Sequence, residues 1–311
     1  MRKSLIAIVG PTASGKTGLA IDLAKRLDGE IVNADSRQVY RYMDIGTAKP
    51  TPAERLQVPH HLYDIVDPNE EFNVAIYQKL AYKMIAAIHE RGKVPLLVGG
   101  SGQYVWAVLE GWNIPEVSPD IQIRRQLEAR AKSEGWEGLF EELRELDPQG
   151  AEQIDPHNVR RVIRAIEVCR SSGRPFSEMK VKVPPDFDVL VIGIAMERNE
   201  LYRRIDTRVS LMLEQGLVTE VKGLLERGYS FDLPAMSSLG YREIIEHLNG
   251  AMGFIETAQQ IMFETHRFAR HQLTWFRPTD ERIRWLNSGE GLAEAAGQLA
   301  ARWIEEKRSA G

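Results

Sequence analysis

Residues 10–17 read Gly10-Pro11-Thr12-Ala13-Ser14-Gly15-Lys16-Thr17, a G-x-x-x-x-G-K-T run. Such a run holds a phosphate chain. Its glycines let backbone N–H groups turn inward around an anion, and the positive end of a following helix adds to them. Lys16 can reach an outer phosphate, and Thr17 offers a hydroxyl to Mg²⁺. The pattern does not choose between ATP, GTP and another compact diphosphate. A purely structural glycine turn is the competing reading. The apolar run before the motif and the helical pattern after it count against that.

Two more polar clusters follow apolar runs: Asn33-Ala34-Asp35-Ser36-Arg37-Gln38-Val39-Tyr40 and Gly99-Gly100-Ser101-Gly102-Gln103-Tyr104. In an open α/β sheet such positions lie beyond the carboxyl ends of strands, where ligands bind. Asp35 and Ser101 are therefore expected to face the cleft of Lys16. Two readings stay open for Asp35: a general base, or a helix cap and cation partner. Ser101 is either a hydrogen-bonding group in the cleft or a cap on the helix after Gly102. Asp64 and Asp67 are rival metal partners, but turn and cap roles are preferred for both. His60-His61 has no accompanying cluster of carboxylates or cysteines in the sequence, which counts against a metal there.

Three arginine faces stand out. In a helix starting at Pro156, Val159, Val162, Ile166 and Cys169 form an apolar stripe, and Arg160, Arg161 and Arg164 lie opposite. Cys169 in that stripe reads as a small buried residue. Further on, Ala258, Met262, Thr265, Ala269, Leu273 and Phe276 oppose Arg267, Arg270 and His271. Arg204 and Arg208 share a third face. One such face is ordinarily just solvated. Three, beside a phosphate cradle, point to bidentate phosphate contact.

These groups need a scaffold, and the first hundred residues alternate strand and helix. Strands are expected at Leu5–Val9, Ile31–Asn33, His61–Val66 and Val94–Val98. Helices are expected over 16–27 and 72–91, the second marked by Ile76, Leu80, Met84 and Ile88 and closed by Gly92. This is an α/β pattern, a parallel sheet flanked by helices. Near 113 the texture turns polar and helical, with Ser118-Pro119 and Asp155-Pro156 as N-cap and first-turn pairs. Residues 1–113 are read as the first part of the core, 114–182 as an inserted all-helical domain and 183–311 as the returning part of the core. That last part holds a strand at Phe187–Ala195, helices near 200–226, 241–248 and 254–276, and a strand at Arg282–Leu286.

Composition sets the outer bounds. With 43% hydrophobic residues and a net charge of −4 over 311 residues, the chain has ample core material and is not disordered. It is not globally basic, which leaves only a local groove for nucleic acid. One cysteine permits no internal disulfide, in keeping with a reducing compartment. No apolar run approaches the roughly 18 residues of a membrane span. Met1-Arg2-Lys3 imitates a signal peptide, but the apolar stretch after it is shorter than the usual h-region of about 7–15 residues. A cytoplasmic protein is expected.

Over residues 4–287 the chain resembles the bacterial tRNA dimethylallyltransferase family, also called tRNA isopentenyltransferases. The resemblance rests on Gly10–Thr17, Asn33–Tyr40, Asp44-Ile45-Gly46-Thr47-Ala48-Lys49-Pro50, Pro59-His60-His61-Leu62 and Val98-Gly99-Gly100-Ser101-Gly102. It continues in Leu239-Gly240-Tyr241-Arg242 and Arg270-His271-Gln272-Leu273-Thr274-Trp275-Phe276-Arg277. It implies a P-loop kinase-like fold and the transfer of a dimethylallyl group from dimethylallyl diphosphate to the adenosine 3′ of the anticodon. By position, Gly10, Pro11, Thr12, Ala13, Ser14, Gly15, Lys16, Thr17 and Arg208 would hold the diphosphate or a nucleotide, with Mg²⁺ at Thr17. Asp35 would be the base, and Lys16, Ser101 and Arg208 would share the catalysis. The tRNA anticodon stem-loop would meet Asp35, Ser36, Arg37, Gln38, Ser101, Arg124, Arg160, Arg161, Val162, Ile163 and Arg164. It would also meet Ser237, Ser238, Leu239, Gly240, Tyr241, Arg242 and Arg270. Ser101 departs from the threonine more common in the family but keeps the hydroxyl. A monomer is expected. A small-molecule kinase with a helical lid is the alternative, and a nucleotide-gated binding module without chemistry is a third reading. Neither accounts for three arginine faces or for Trp275-Phe276-Arg277.

Overall fold

In the computed structural model, which describes residues 3–114, 120–179 and 182–309, Leu5, Ile6, Ala7, Ile8 and Val9 are all fully buried. A strand covered on both faces demands such a run. The chain proceeds as β1 (Ser4–Val9), α1 (Lys16–Leu27), β2 (Gly29–Asn33), α2 (Pro52–Arg55), β3 (His60–His61), α3 (Val74–Glu90), β4 (Val94–Gly99) and α4 (Gly102–Leu109). Next come α5 (Ile121–Glu134), α6 (Glu137–Leu146), α7 (Pro148–Ala151), α8 (Val159–Ser172) and a 3₁₀ turn at Ser177–Met179. The rest is β5 (Asp188–Ala195), α9 (Arg198–Glu214), α10 (Leu217–Glu226), α11 (Tyr241–Leu248), α12 (Phe254–Trp275), β6 (Ile283–Asn287) and α13 (Leu292–Ser309).

The strands form one sheet in the order β3-β2-β4-β1-β5-β6, every pair parallel. Central β1 pairs with β4 (Ile6 beside Leu96) and with β5 (Ile6 beside Leu190). All carboxyl ends therefore share one edge, and the loops after β1, β2 and β4 emerge together there. Ile6 and Ile8 pack with Leu19 and Leu23 of α1 and Ala296, Ala300 and Ile304 of α13. Truncating a fully buried leucine such as Leu23 to alanine costs about 2–5 kcal/mol. A second cluster joins α9, α10, α11 and α12 to Val39, Tyr40 and Met43, so the loop after β2 is anchored in helices rather than left free.

The chain divides into two compact units, 1–109 with 186–311, and 110–185. The second unit begins four residues before, and ends three residues after, the span read from composition. It has its own core of Leu127, Leu139, Leu143, Ile154, Val162 and Ile166. Its two ends are paired, with Val183 N–H donating to Gly111 C=O and a bridge between Trp112 and Lys182.

Several local expectations need correction. The strand expected at His61–Val66 is only His60–His61, because Leu62 and Asp64 take positive φ (63° and 54°) and turn the chain out of the ladder. Helix 72–91 buries Tyr77, Ala81, Ile85 and Ile88, one position round from most of the expected stripe, and Ile76 is exposed. The helix placed at Pro156 begins at Val159. Asn158 caps it, while Asp155 closes a turn onto His157 N–H. Residues 200–226 form two helices, broken where Gly216 takes φ +101°. Ser118-Pro119 lies outside the described residues, and α5 is capped by Asp120.

Candidate active site

The glycine-rich loop leaves β1 at Gly10 and enters α1 through Gly15, whose φ of +95° suits only glycine comfortably. Ala13 also sits at positive φ, 63°, which costs a non-glycine residue roughly 1–3 kcal/mol and persists only where its surroundings impose it. No side chain caps α1, so its first-turn N–H groups point at the space above the loop, where an anion is favoured. Lys16 Nζ donates to Gly10 C=O at 3.0 Å and to Pro11 C=O at 2.6 Å. Burial and the charge of Arg208 lower its pKa to about 7 against the opposing pull of Asp35. Ser14 Oγ is buried and has no partner among the described residues. A buried hydroxyl without a partner is costly, and a phosphate oxygen would satisfy it. Arg208 of α9 is half-buried, and burial pulls its guanidinium below the usual range.

The loop after β2 is locked beside this cradle. Asn33 Oδ1 accepts from Asp35 N–H at 2.9 Å, and its Nδ2 donates to Leu62 C=O at 3.0 Å. Asp35 Oδ1 accepts from Arg37 N–H at 2.8 Å, an Asx-type turn. No helix starts here, so the capping reading of Asp35 falls away. Ser101 Oγ accepts from Ser36 N–H at 2.9 Å and lies 3.3 Å from Ser36 Oγ, so its side chain ties two loops together rather than capping α4. The loops approach so closely that a Cβ on Gly99 would sit 2.1 Å from Ala34 C=O. Behind Asp35, Tyr77 stacks on Tyr104 at 4.2 Å, and burial foremost, then neighbouring charge including that of Asp35, drives both phenols up.

A cavity of about 1040 Å³ opens beside Thr17 and Arg208, walled by the 41–56 segment and α9. Lys49 holds that segment from inside, donating to Tyr40 C=O, Asp44 and Asp64 while almost wholly buried. Asp64 also accepts from Arg55 at 2.6 Å. Burial opposes its charge, but Lys49 and Arg55 together hold its carboxyl below the usual range. Asp64 is thus an ion-pair centre, neither a metal partner nor a cap, and Asp67 pairs with Arg41 at 3.0 Å. His61 meets the buried Glu30, which Arg91 also holds. Glu220 of α10 accepts from three successive N–H groups, those of Asp44, Ile45 and Gly46. Neither Lys49 nor Glu220 stands out in the sequence. Lys49 lies in a block that carries the family resemblance, but its burial has no signature there.

The family described as IPP transferase matches residues 38–279. A tRNA dimethylallyltransferase of Dehalococcoides mccartyi is 50% identical over 93% of this chain and 89% of its own length. That of Roseiflexus castenholzii is 54% identical over 88% and 89%. The chain belongs to the IPP transferase family. Among solved structures, the full-length tRNA isopentenylpyrophosphate transferase of Bacillus halodurans is 42% identical over 99% of both chains, with a TM-score of 0.74. A eukaryotic dimethylallyltransferase solved acting on tRNA is 26% identical over 98% of this chain and 80% of its own, with a TM-score of 0.82. Family membership favours the transferase over the kinase reading of the cradle.

In this IPP transferase the sequence-read arginines divide into two sets. Arg160 and Arg161 are exposed and have no carboxylate partner among the described residues. Arg164 and Arg124 instead both reach the buried Glu167, at 2.9 Å each. Burial works against that carboxylate, yet the two guanidiniums hold it below the usual range. Val162 and Ile163 are core residues, so their side chains present nothing to a ligand. Tyr241 is fully buried with its hydroxyl donating to Glu220, and Ser238 is buried on Ala235 C=O. Ser237 and Arg242 are exposed, although Arg242 pairs with Glu243 at 2.6 Å. Arg270 is exposed and donates to Tyr202 Oη at 2.8 Å, while Arg204 is held by Glu200. Arg37 donates to Pro234 C=O, and Gln38 to Thr47 and Ala48 C=O, which makes both supports of the loop. On α12 the buried positions are Thr257, Ile261, Ala269 and Gln272, so two polar residues, Thr257 and Gln272, occupy core positions that the expected stripe had not included.

Proposed function

We propose that this chain transfers the dimethylallyl group of dimethylallyl diphosphate to the exocyclic amine of the adenosine 3′ of a tRNA anticodon, in the cytoplasm. The allylic C–O bond breaks, the N–C bond forms, diphosphate leaves, and the amine proton passes to Asp35. One observation carries the reading: the anion cradle after β1 and the Asp35 loop after β2 emerge at the same edge of the parallel sheet, the second held against the loop after β4 through Ser101 and Ser36. Leaving diphosphate gathers negative charge, which Lys16, Arg208 and the loop amides would stabilise. The adenine amine is a poor acid until the new bond forms, so an aspartate suffices as its base. The base must leave its stack to reach the cleft.

A divalent cation fits the residues present. No group of three His, Cys, Asp or Glu side chains capable of caging an ion occurs among the described residues. Mg²⁺ characteristically binds one or two protein oxygens together with substrate phosphates. The Thr17 hydroxyl lining the cavity would be that protein ligand, and the ion would neutralise charge on the diphosphate. Arg160, Arg161, Ser237, Arg242 and Arg270 would meet RNA directly. Arg124, Arg164, Val162, Ile163, Ser238, Leu239, Gly240 and Tyr241 would shape the surfaces that carry them. No helix among the described residues is long and apolar enough to cross a membrane.

The test is product analysis of one purified sample given unmodified tRNA, labelled dimethylallyl diphosphate and ATP. Prenylated adenosine is expected, with pyrophosphate competing against the donor and no ADP formed. Steady ADP release without prenylated adenosine would overturn the reading and restore the kinase.

A further inference from the structure

Gln272 stands in the last turn of α12, distant in sequence from both loops of the site, and its amide bonds to each of them. Its Oε1 accepts from Thr12 N–H of the cradle at 2.7 Å. Its Nε2 donates to Gly100 C=O at 3.0 Å in a buried setting. Gln272 is 3% exposed, and its bond to Gly100 is closed to water. The approach is close: a Cβ on Gly100 would lie 2.2 Å from Nε2, and one on Gly102 would lie 2.3 Å from Trp275, one turn further along the same helix. The residue after Gly100 is Ser101, whose hydroxyl holds Ser36 N–H, next to Asp35. An unbroken chain of bonded groups thus runs from the diphosphate cradle through Gln272 and Ser101 to the carboxylate.

We infer that Gln272 is a positioning residue, which sets the spacing between the bound donor's diphosphate and the base Asp35. The inference rests on the transferase reading above. A carboxamide serves both loops at once at any pH, because one presents a donor and the other an acceptor. The reaction joins two substrates held on different loops, so a misplacement of about 1 Å can cost up to about 100-fold in rate. Pyrophosphate binding draws on the cradle's own amides and Lys16 and should be spared.

Gln272→Met keeps the volume and removes both hydrogen bonds. In single-turnover transfer with saturating tRNA and dimethylallyl diphosphate, its rate constant is expected to fall about 10–100-fold. The amplitude should stay complete and the inhibition constant for pyrophosphate within about threefold of wild type, a margin too small to signal a damaged cradle. A lower amplitude at an unchanged rate constant would mean a merely structural residue and would overturn the inference. So would a rate constant within twofold of wild type. Gln272→Glu supplies the second arm. As a carboxylate it still accepts from Thr12 but repels Gly100 C=O, and once protonated it donates there as the amide did. Its rate relative to wild type should therefore climb as pH falls from 9 to 6, and a flat ratio would contradict the assignment. Wild-type protein that forms no prenylated adenosine would instead sink the transferase reading itself.

Discussion

Asp35 has Oδ1 on the Arg37 N–H, which leaves Oδ2 for a substrate proton. Asp35→Ala should cut turnover by about 10²–10⁴-fold, the usual worth of a general base. Pyrophosphate affinity measured by calorimetry should persist, and near-normal turnover across the pH range would refute the role. Lys16 makes a different prediction, about pH. Its pKa is lowered to about 7 in the free protein by burial and Arg208. Below that pH the ammonium is charged both folded and unfolded, so the folded state carries the full cost of a poorly solvated cation. Between about 7 and its ordinary value of 10.5 the unfolded chain binds more protons, so stability gained from this group rises with pH. Lys16→Met should therefore raise the melting temperature of the ligand-free protein most at pH 6, with the gain shrinking by pH 10. Pyrophosphate supplies the missing countercharge and should stabilise wild type far more than Lys16→Met. An equal gain at both pH values would contradict this account.

At the scale of elements, α8 combines two tasks that look alike in sequence. Arg164 completes a buried ion pair, whereas Arg160 and Arg161 face solvent. Arg164→Ala should cost about 1–3 kcal/mol in urea unfolding, as loss of a hydrogen bond to a buried charge does. Arg160→Ala and Arg161→Ala should each stay within about 0.5 kcal/mol. The Arg160→Ala, Arg161→Ala double variant should flatten the salt dependence of tRNA binding by about 0.7–0.9 log units for each phosphate that an arginine no longer neutralises. An unchanged slope would leave that face merely solvated. Periodicity tells Arg160, Arg161 and Arg164 from the apolar stripe, but cannot show that Glu167, on the buried side, captures one of them. The cradle is legible because its glycines, lysine and threonine are local and spaced by the chemistry itself. Gln272, Lys49 and Glu220 are not, because each acts through a partner brought close only by folding. The helix start near Pro156 misleads for a related reason. Asp155 and Asn158 are both good caps by residue type, and in the fold Asn158 caps the helix while Asp155 accepts from His157 N–H in the turn before it.

At the scale of the molecule, the alternation of apolar runs and 3.6-residue stripes is sufficient for a parallel sheet with helices on both faces. Strand order is not legible, since nothing within β1 says that β4 and β5, rather than β2, will flank it. The helix α13 escapes a reading by pattern even though Ala296, Ala300 and Ile304 recur every four residues, because two small side chains make a weak stripe. The central place of β1 has a consequence for how the protein is made. One edge of β1 is completed by β4, but the other awaits β5, the far side of the 110–185 unit. At about 5–20 residues per second, a growing chain leaves that edge unpaired for roughly 10–40 s. Unpaired edges template association with other chains. On ribosomes arrested along the message, Ser4–Val9 should resist pulsed protease only after Ala195 has emerged, and protection in a chain ending at 185 would contradict this. The glycine-rich loop, among the first segments synthesised, is thus among the last to be braced, and nascent chains of this protein are expected to engage chaperones through it.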